Sequence, residues 1–374
     1  MSSVSPQGGY DSSKVSPEPT ADALPTERPQ GGMDLSFDGD AVHAGPDARE
    51  RFYDSRGYGR TTGGDLTLAP VETAHLLYRG DVDTVYDERD GSRLDFRGLL
   101  GSAAVSEVDF FVYKDLRDRG FYLSPAADDQ ADFTVYPRGD GPWDDTTAYR
   151  VRAVGERTDL AADSLRRLVA STAAGEAVLA IVDEESEVTY LGVDERAVSG
   201  STDHEIPPVT GELLADRVVV WEPPAELHGK GFYGQRLDQA GDPVQLSLVE
   251  AAYLAGEGGL ETDSGDGAIT ERGRAVEGER FDRRRRVYAA LRTAGVVPKT
   301  GFKFGADFRT YGNVESVDEL GHSELLVRVL PGSHTFEPRD LALDVRLAHG
   351  VRKTMVFALV GNGIEWLSVT RRTP

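Results

Sequence analysis

The chain has 374 residues, of which 39% are hydrophobic, and it contains no cysteine. This length suits two to four small domains, the lack of cysteine excludes disulfides and thiolate metal sites, and no apolar run approaches the ~18–20 residues that a membrane span requires. The formal net charge is −23, with 64 acidic residues against 35 arginines and six lysines.

This charge pattern is typical of proteins adapted to a very salty cytoplasm, where the Debye length falls to ~3 Å at 1 M salt. The negative charge therefore does not exclude a nucleic-acid partner, and a cytoplasmic location is expected. Three of the six lysines, Lys299, Lys303 and Lys353, cluster near the end of the chain. Their clustering against the background composition suggests a function for that region.

The N-terminal segment, residues 1–32, is rich in Ser, Pro and Gly and has no apolar signal region. It is predicted to be a disordered tail. A first α/β subdomain is then predicted over residues 33–105. Its segment from Leu66 to Leu77 indicates a strand end followed by a helix that has Pro70 in its first turn.

A second α/β domain is predicted over residues 106–205. It opens with an amphipathic helix from Val108 to Arg119, with Phe111, Val112 and Leu116 on one face. The remaining predicted elements, in order, are strands Phe121–Leu123, Phe133–Tyr136 and Tyr149–Val154, a helix Leu165–Ser171, and strands Ala177–Val182 and Val188–Val193.

From about residue 206 the same order of elements recurs, which indicates a tandem duplication. The matched segments are FYGQRL (232–237) with FYDSRG (52–57), Val249-Glu250-x-Ala252-x-Leu254 with Val71-Glu72-x-Ala74-x-Leu76, Val287-Tyr288-x-x-Leu291-Arg292-x-x-Gly295 with Val112-Tyr113-x-x-Leu116-Arg117-x-x-Gly120, and Asp307-Phe308-x-x-Tyr311 with Asp132-Phe133-x-x-Tyr136. The second copy is divided into residues 206–280 and 281–374. The predicted class is α/β (α+β), with an N-terminal and a C-terminal part in each copy.

Three side chains that can act together on a phosphodiester lie at predicted strand ends of the last domain. Tyr311 ends a strand predicted from Phe304, His322 opens the next strand, and Lys353 follows a short helix and begins another. Residues at strand ends can converge at one rim of a sheet. A phenol, an imidazole and an ammonium there form a metal-free acid–base set with a cation for developing charge.

The first copy retains only the tyrosine of this set, as Tyr136. The position of the histidine is Thr146, and the position of the lysine falls within Gly175-Glu176-Ala177. The first copy thus keeps the fold but lacks the histidine and the lysine. This difference suggests that the second copy is catalytic and that the first copy is a scaffold.

With these residues in hand, residues 33–374 resemble the archaeal tRNA-intron endonuclease family in its tandem-repeat, homodimeric form. The motifs that carry the resemblance are the Val-Tyr-x-x-Leu-Arg-x-x-Gly helix with Lys299-Thr-Gly-Phe-Lys-Phe-Gly305, then Phe308-Arg-Thr-Tyr311 with His322-Ser-Glu, and then Val345-Arg-Leu-Ala-His-Gly-Val-Arg-Lys353. The resemblance implies a restriction-endonuclease-like catalytic domain with a mixed sheet. It also implies cofactor-free cleavage of precursor tRNA at bulge–helix–bulge junctions, with 2′,3′-cyclic phosphate and 5′-hydroxyl ends.

The resemblance also implies roles for particular residues. Tyr311, His322 and Lys353 match the family triad, as base, acid and electrostatic stabiliser, although the roles of Tyr311 and His322 can be exchanged. Arg346 matches one of the two arginines that clamp an unpaired base in the family. The second arginine matches either Arg371 or Arg372, and Arg371 is the predicted one. The alternative function is a non-catalytic RNA-binding or scaffold subunit with the same fold.

An acidic loop joins the last two strands of the first copy and contains Asp183, Glu184, Glu185 and Glu187. The functional interpretation is that it docks into a basic cleft on the catalytic domain of the other protomer, since charge pairs set register and orientation. The alternative is a solvated turn of a salt-adapted protein.

Overall fold

The computed structural model describes residues 35–237, 242–265 and 267–374. The tail predicted over residues 1–32 lies outside these described residues. Helices and strands alternate in mixed sheets, and the element order of the first half recurs in the second. The α/β (α+β) class and the tandem duplication are therefore confirmed. None of the helices in the described segments is both long and apolar enough to cross a bilayer.

The first copy comprises an N-terminal subdomain and a larger C-terminal domain. The elements of the subdomain are β1 (Leu35–Phe37), β2 (Val42–Ala44), α1 (Pro46–Ala48), a π-helical turn (Arg49–Asp54), β3 (Arg60–Thr62), β4 (Asp65–Leu68), α2 (Pro70–Tyr78), β5 (Val85–Asp87), β6 (Arg93–Leu94) and α3 (Phe96–Gly101). The elements of the C-terminal domain are α4 (Glu107–Asp118), β7 (Leu123–Pro125), β8 (Phe133–Val135), β9 (Tyr149–Gly155), β10 (Leu160–Ala161), α5 (Ala162–Ala170), β11 (Glu176–Val182) and β12 (Val188–Glu195).

The second copy repeats this plan. Its N-terminal subdomain contains β13 (Val209–Leu213), β14 (Arg217–Val220), α6 (Ala225–Gly229), β15 (Gln235–Arg236), β16 (Val244–Ser247), α7 (Leu248–Gly256), β17 (Leu260–Thr262) and α8 (Ala268–Glu277). Its C-terminal domain contains α9 (Glu279–Thr293), β18 (Val297–Thr300), β19 (Phe308–Tyr311), β20 (Leu325–Pro331), β21 (Thr335–Phe336), α10 (Pro338–Gly350), β22 (Thr354–Val360) and β23 (Ile364–Arg372), with 3₁₀ turns at Phe302–Phe304 and Val317–Glu319.

The C-terminal domains of the two copies share a single sheet. Over the described residues it has ten strands in the order β18-β19-β20-β22-β23-β12-β11-β9-β8-β7. The order is symmetric about the antiparallel β12–β23 pair, in which Val193 lies opposite Val369. A second pair, β10 with β21, also joins the two copies. The duplication therefore produces a pseudo-twofold unit in which the last strand of each copy covers the edge of the other.

Each face of this sheet is packed by helices. Leu179, Leu191, Phe357 and Val369 point to the face covered by α5 and α10, whereas Val356 and Ala358 point to the face covered by α9. This alternation follows from the period of two along a strand. The same alternation determines on which face of the sheet the residues next to the strand ends lie.

Local sequence signals explain the main helices. Ser106 caps α4, where its hydroxyl accepts a hydrogen bond from the Asp109 N–H at 3.4 Å, and Ser247 with Glu250 forms a capping box on α7. Pro70 occupies the first turn of α2, as predicted. The predicted face of α4 is wrong in one residue, because Phe110 is buried while Phe111 is only half-buried.

Two predicted strands of the last domain need correction. The strand predicted from Phe304 begins only at Phe308, because a 3₁₀ turn occupies Phe302–Phe304 and Gly305 adopts a left-handed conformation with φ +69°. His322 does not open β20, which begins at Leu325. The helix before Lys353 is also longer than predicted, at 13 residues.

The repeat alignment also needs correction near the start of each copy. Arg117 on α4 lies 3.8 Å above the Tyr58 ring, and Arg292 on α9 lies 3.8 Å above the Tyr233 ring. Tyr58 is therefore equivalent to Tyr233, and FYGQRL does not match FYDSRG as predicted. Both segments contain Phe-Tyr, but the equivalent tyrosines of the two copies are the ones that pack against the same arginine of the Val-Tyr-x-x-Leu-Arg motif.

These arginines explain the Val-Tyr-x-x-Leu-Arg motif. In the second copy, the Arg292 guanidinium donates hydrogen bonds to the Tyr288 hydroxyl at 2.9 and 3.1 Å and to the Gly231 carbonyl at 2.8 Å. Tyr288 and Arg292 belong to the C-terminal domain, while Gly231 and Tyr233 belong to the N-terminal subdomain. The motif therefore joins the two parts of each copy through a buried cation on an aromatic face.

A second buried contact joins the parts of the second copy only. The Lys299 ammonium donates to the Glu250 carboxylate at 3.0 Å and to the carbonyls of Phe232 and Gly234 at 3.1 and 2.7 Å. Burial alone raises the pKa of Glu250, but attraction to Lys299 and its hydrogen bonds hold that pKa below its ordinary value. In the first copy, Ser124 stands at the lysine position and burial raises the pKa of the equivalent Glu72.

We predict that Lys299→Ser lowers the free energy of unfolding by about 3 kcal/mol at neutral pH, because it leaves a buried carboxylate without its cation. Glu250 then resembles Glu72, and its pKa rises. The difference in unfolding free energy between the wild type and the variant should shrink as the pH falls. Protonation of Glu250 removes the unpaired buried charge from the variant, and in the wild type it weakens the ion pair with Lys299.

Denaturant unfolding in molar salt at neutral and at acidic pH measures this difference. Lys303→Ser is the matched control, because Lys303 is exposed and should change the unfolding free energy by less than about 0.5 kcal/mol. An equal effect of the two substitutions would show that the buried pair does not stabilise the domain junction.

Candidate active site

Tyr311 lies at the end of β19, beside the start of β20. The preceding residue, Thr310, pairs with Leu325, and its carbonyl accepts a hydrogen bond from the Glu324 N–H at 3.0 Å. Tyr311 is half-buried. The ladder therefore places the phenol next to the segment that carries His322.

His322 lies in the loop that leads into β20. Its side chain is exposed, whereas the next residue, Ser323, is buried. The Lys353 ammonium donates a hydrogen bond to the Ser323 carbonyl at 2.6 Å. This bond ties the ammonium to the backbone of the residue that follows the histidine.

Lys353 is positioned by the end of α10 and by an aromatic ring. Its own N–H donates to the Ala348 carbonyl at 2.9 Å, after a turn in which Arg352 has a left-handed φ of +55°. Its ammonium lies 5.9 Å from the centre of the Phe304 ring. The side chain is half-buried, which limits the rotamers available to it.

The three candidate catalytic residues meet at one end of three adjacent strands. β19, β20 and β22 are neighbours in the sheet, and Leu325 pairs with Thr354 directly after Lys353. The backbones of Tyr311 and Lys353 are thus two strand spacings apart, on the order of 10 Å. Side chains directed toward each other over that distance can contact a single phosphodiester.

Phe232, which belongs to the N-terminal subdomain of the second copy, packs against Tyr311. The Phe232 ring meets the Tyr311 ring edge-on with centroids 5.6 Å apart, and the Lys299 ammonium lies 4.7 Å from the centre of the Phe232 ring. Phe232 is 6% exposed and has a left-handed φ of +51°. Such a conformation costs a bulky residue about 1–3 kcal/mol, and the equivalent first-copy residue is Gly57. The sequence analysis missed Phe232, and its only signal was the glycine-rich segment around it.

Arg346 and Arg371 lie on the same face of the sheet as Lys353. Arg346 is exposed near the end of α10. On β23, Leu367 and Val369 point to the α10 face, so Arg371 points there too. Extension of the β22–β23 register by two pairs beyond Met355–Val369 places Arg371 opposite Lys353.

Arg372 differs from Arg371 in both face and partner. It points to the opposite face of the sheet by the same alternation, and it forms an ion pair with Glu176 of the first copy. The structure therefore separates two residues that the sequence left together. Arg371 is the one that shares a face with Arg346 and Lys353.

A cleft of about 730 Å³ adjoins this cationic group. Its lining includes Arg339 and Arg346 from α10, Arg371 and Arg372 from β23, and Arg119 and Tyr190 from the first copy. The acidic residues Glu156, Asp183 and Asp340 also line it. The cleft is therefore formed jointly by the two copies.

The first copy lacks more than the reactive groups. The Glu176 N–H donates to the Ala148 carbonyl, as the Thr354 N–H does to Glu324, and this register makes Gly175 the equivalent of Lys353. Gly175 has a φ of +84°, and a Cβ there would lie 2.6 Å from the Thr147 carbonyl oxygen. No side chain fits at this position without a backbone change, so the scaffold copy is closed to a lysine.

The acidic loop is partly engaged within its own chain. One oxygen of the Asp183 carboxylate accepts hydrogen bonds from the N–H groups of Glu185 and Glu187, each at 2.9 Å, and Glu184 forms an ion pair with Arg157. The carboxylates of Glu185 and Glu187 are exposed. Asp183 shapes the turn, while Glu185 and Glu187 present charge outward.

No group of three or more His, Asp or Glu side chains has a metal-site arrangement within residues 35–237, 242–265 and 267–374. The lack of a metal requirement stays a prediction, because it concerns the reaction and needs a measurement.

Comparison with known families gives two matching models. The model described as "tRNA intron endonuclease, catalytic C-terminal domain" matches residues 107–190 and 281–366. The model described as "tRNA intron endonuclease, N-terminal domain" matches residues 33–100 and 209–273. Each model thus matches twice, in the order that the duplication requires.

Similar proteins are named tRNA-splicing endonuclease. One from Haloarcula marismortui is 65% identical, over 91% of this chain and 100% of the relative. One from Natronomonas pharaonis is 57% identical, over 89% of this chain and 97% of the relative. One from Methanosarcina mazei is 38% identical, over 89% and 97% of the two chains. The haloarchaeal relatives support the archaeal, halophilic character predicted from the composition.

Proposed function

The chain belongs to the tRNA intron endonuclease family, and from this membership we propose that it cleaves precursor tRNA at the bulge–helix–bulge junctions of introns. The observation that supports an active enzyme is the meeting of Tyr311, His322 and Lys353 at one end of three adjacent strands. A non-catalytic scaffold subunit would not need to retain this set, and the first copy has lost it.

The proposed reaction uses the nucleophile that RNA carries, the 2′-hydroxyl. A bond forms between the 2′-oxygen and phosphorus while the bond from phosphorus to the 5′-oxygen breaks. Tyr311 takes the 2′-proton, and His322 gives a proton to the leaving 5′-oxygen. Lys353 faces the extra negative charge on phosphorus. The products are a 2′,3′-cyclic phosphate and a 5′-hydroxyl.

The assignment of base and acid follows ordinary titration. An imidazole titrates near neutrality at ~6.5 and can therefore be protonated or neutral in the cell. A phenol titrates near ~10, so it acts as a base only beside a cation that stabilises its anion. We propose that Lys353 supplies this cation. The exchanged assignment, with His322 as base, gives a pH–rate profile of the same shape, because each assignment requires one of the two groups protonated and the other deprotonated.

We expect the wild-type protein to cut a bulge–helix–bulge RNA in molar salt with a chelator present, because the internal nucleophile needs no metal-bound water. The same RNA with a 2′-deoxy residue at the cut site should be bound and left intact. Gel analysis of the ends, with a test for cyclic phosphate, decides the outcome. Binding of both RNAs with cleavage of neither would favour the scaffold subunit instead.

Matched variants connect this cleavage to the site. His322→Ala and Lys353→Ala should each lower the single-turnover rate by roughly 10²–10⁴ while the protein remains folded. His349→Ala and Lys230→Ala are the controls, since both residues are exposed and lie outside the proposed site. A near-wild-type rate for either test variant would remove that residue from the mechanism.

We propose that Arg346 and Arg371 hold an unpaired base of the bulge, because guanidinium planes stack on bases. Both arginines lie on the face of the sheet that carries Lys353, next to the cleft between the copies. The opposite face of Arg372 and its ion pair with Glu176 favour Arg371 over Arg372 for this role.

Arg371→Ala should weaken binding of the 2′-deoxy RNA by ~1–3 kcal/mol, whereas Arg372→Ala should leave the affinity for RNA close to that of the wild type. Anisotropy titration in molar salt provides both dissociation constants. The assignment of the faces is wrong if Arg372→Ala gives the larger loss of affinity.

We propose a homodimer in which the acidic loop of one protomer docks on the basic cleft of the other. The charges that support this are the exposed carboxylates of Glu185 and Glu187 and two cleft arginines that are not assigned to the base, Arg119 and Arg339. Such pairs set orientation more than affinity. Asp183 and Glu184 contribute to the shape of the loop through their contacts within the chain. We also propose a cytoplasmic location, since the substrate class is precursor tRNA.

Light scattering in molar salt tests the assembly. Glu185→Gln with Glu187→Gln should shift the protein toward monomer and lower cleavage in parallel, while the turn built by Asp183 is preserved. Glu257→Gln with Glu261→Gln makes the same charge change at exposed positions and should remain dimeric. A loop variant that stays fully dimeric and active would show that the loop is only solvated.

A further inference from the structure

The turn between β18 and β19 exposes an aromatic ring beside the candidate active site. This aromatic turn is Gly301–Gly305, with the sequence Gly-Phe-Lys-Phe-Gly. Phe302 is 85% exposed, more than any other large apolar side chain in the described part of the chain. An exposed phenylalanine forgoes the stabilisation that its burial would give, so this ring is a candidate contact for a binding partner.

The aromatic turn is ordered by its backbone. The Phe304 N–H donates to the Gly301 carbonyl at 2.8 Å, and the Gly305 N–H donates to the Phe302 carbonyl at 3.2 Å. A Cβ on Gly301 would lie 2.8 Å from the Ala306 carbonyl oxygen, so the start of the turn admits only glycine. The turn therefore presents Phe302 outward as a fixed platform.

The turn lies against the proposed catalytic lysine. The Phe304 ring packs on the α10 face of the sheet and its centre is 5.9 Å from the Lys353 ammonium. The backbone of Phe302 is within about 8 Å of that of Phe304, two residues away. Phe302 and the exposed Lys303 thus flank the site within the reach of a neighbouring nucleotide.

The first copy shows the same turn without these properties. Thr300 pairs with Phe308, and Pro125 pairs with Phe133, so this register matches Phe302, Lys303 and Phe304 with Ala127, Asp128 and Asp129. Asp128 is held by Arg150 in an ion pair of 2.6 Å. The copy without the catalytic set thus carries two acids where the other copy carries a lysine between two rings.

We propose that the aromatic turn is an RNA-binding subsite in which Phe302 stacks on an unpaired base next to the cut and Lys303 contacts the adjoining phosphate. The proposal rests on the proposed function, because it concerns the same RNA. Every base has a face on which an aromatic ring can stack. The charge reversal between the copies favours a polyanion over a protein partner.

The dependence of RNA affinity on salt concentration distinguishes the stacking contact of Phe302 from the phosphate contact of Lys303. Contacts with phosphates weaken steeply as the salt concentration rises, because the release of counterions then contributes less to the binding free energy. Stacking of a ring on a base depends little on salt. In molar salt, Phe302 should therefore contribute most of the affinity of the subsite. The contribution of Lys303 should grow as the salt concentration is lowered.

The test uses the full-length protein and a 2′-deoxy bulge–helix–bulge RNA with 2-aminopurine at each bulge position in turn. Phe302→Ala should raise the dissociation constant in molar salt by roughly ten- to a hundredfold and abolish the fluorescence change at one bulge position. Phe302→Trp should retain both signals, and Phe302→Leu should lose the fluorescence change. Ala127→Phe, at the equivalent position of the first copy, should have no effect.

The outcomes distinguish this subsite from the proposed function. Wild-type affinity and an unchanged fluorescence signal for Phe302→Ala would overturn the subsite, even if the enzyme cleaves its substrate. Failure of the wild type to cleave would overturn the proposed function, while the binding data still decide the subsite. A Phe302→Ala protein that loses its dimer in light scattering, with unchanged RNA affinity per protomer, would assign the ring to a protein contact and also overturn the subsite.

Discussion

The antiparallel pairing of β12 with β23 is the contact on which the architecture depends. Each strand is the last of its copy, and each would otherwise expose a row of unpaired N–H and C=O groups. Their pairing produces one ten-stranded sheet across the described residues and brings Arg371 beside Leu191 of the first copy. The cleft between the copies follows from this pairing, because its walls come from β12 and α4 on one side and from α10 and β23 on the other.

The two copies differ at the candidate active site. The second copy holds Tyr311, His322 and Lys353 at neighbouring strand ends. The first copy cannot hold a lysine at the equivalent place, because Gly175 stands where a Cβ would meet the backbone. It has no aromatic turn either, since Asp128 and Asp129 occupy those positions. What it retains is the strand pairing, which needs backbone groups and a β-compatible sequence but no particular reactive side chain.

The N-terminal subdomain of the second copy takes part in the site through packing. Lys299 is anchored to Glu250 and to two carbonyls, and the Phe232 ring contacts both Lys299 and Tyr311. In the first copy the corresponding residues are Ser124 and Gly57, which cannot make such a chain of contacts. The strained backbone of Phe232 is thus found only in the copy with the catalytic set, which is where such strain is expected if it serves function.

The sequence by itself determined the repeat, the class of the fold and most helices and strands, and it predicted the three candidate catalytic residues, because these depend on local periodicity and on a comparison between copies. It misplaced the start of two strands and matched FYGQRL with the wrong segment, since short letter matches carry no information on packing. Only the tertiary structure decided that Arg371 and not Arg372 shares a face with Lys353, that Phe232 supports Tyr311, and that Asp183 closes its own turn. Those facts depend on strand register and on contacts between residues distant in sequence, and a shift of one residue in register reverses the face of every side chain.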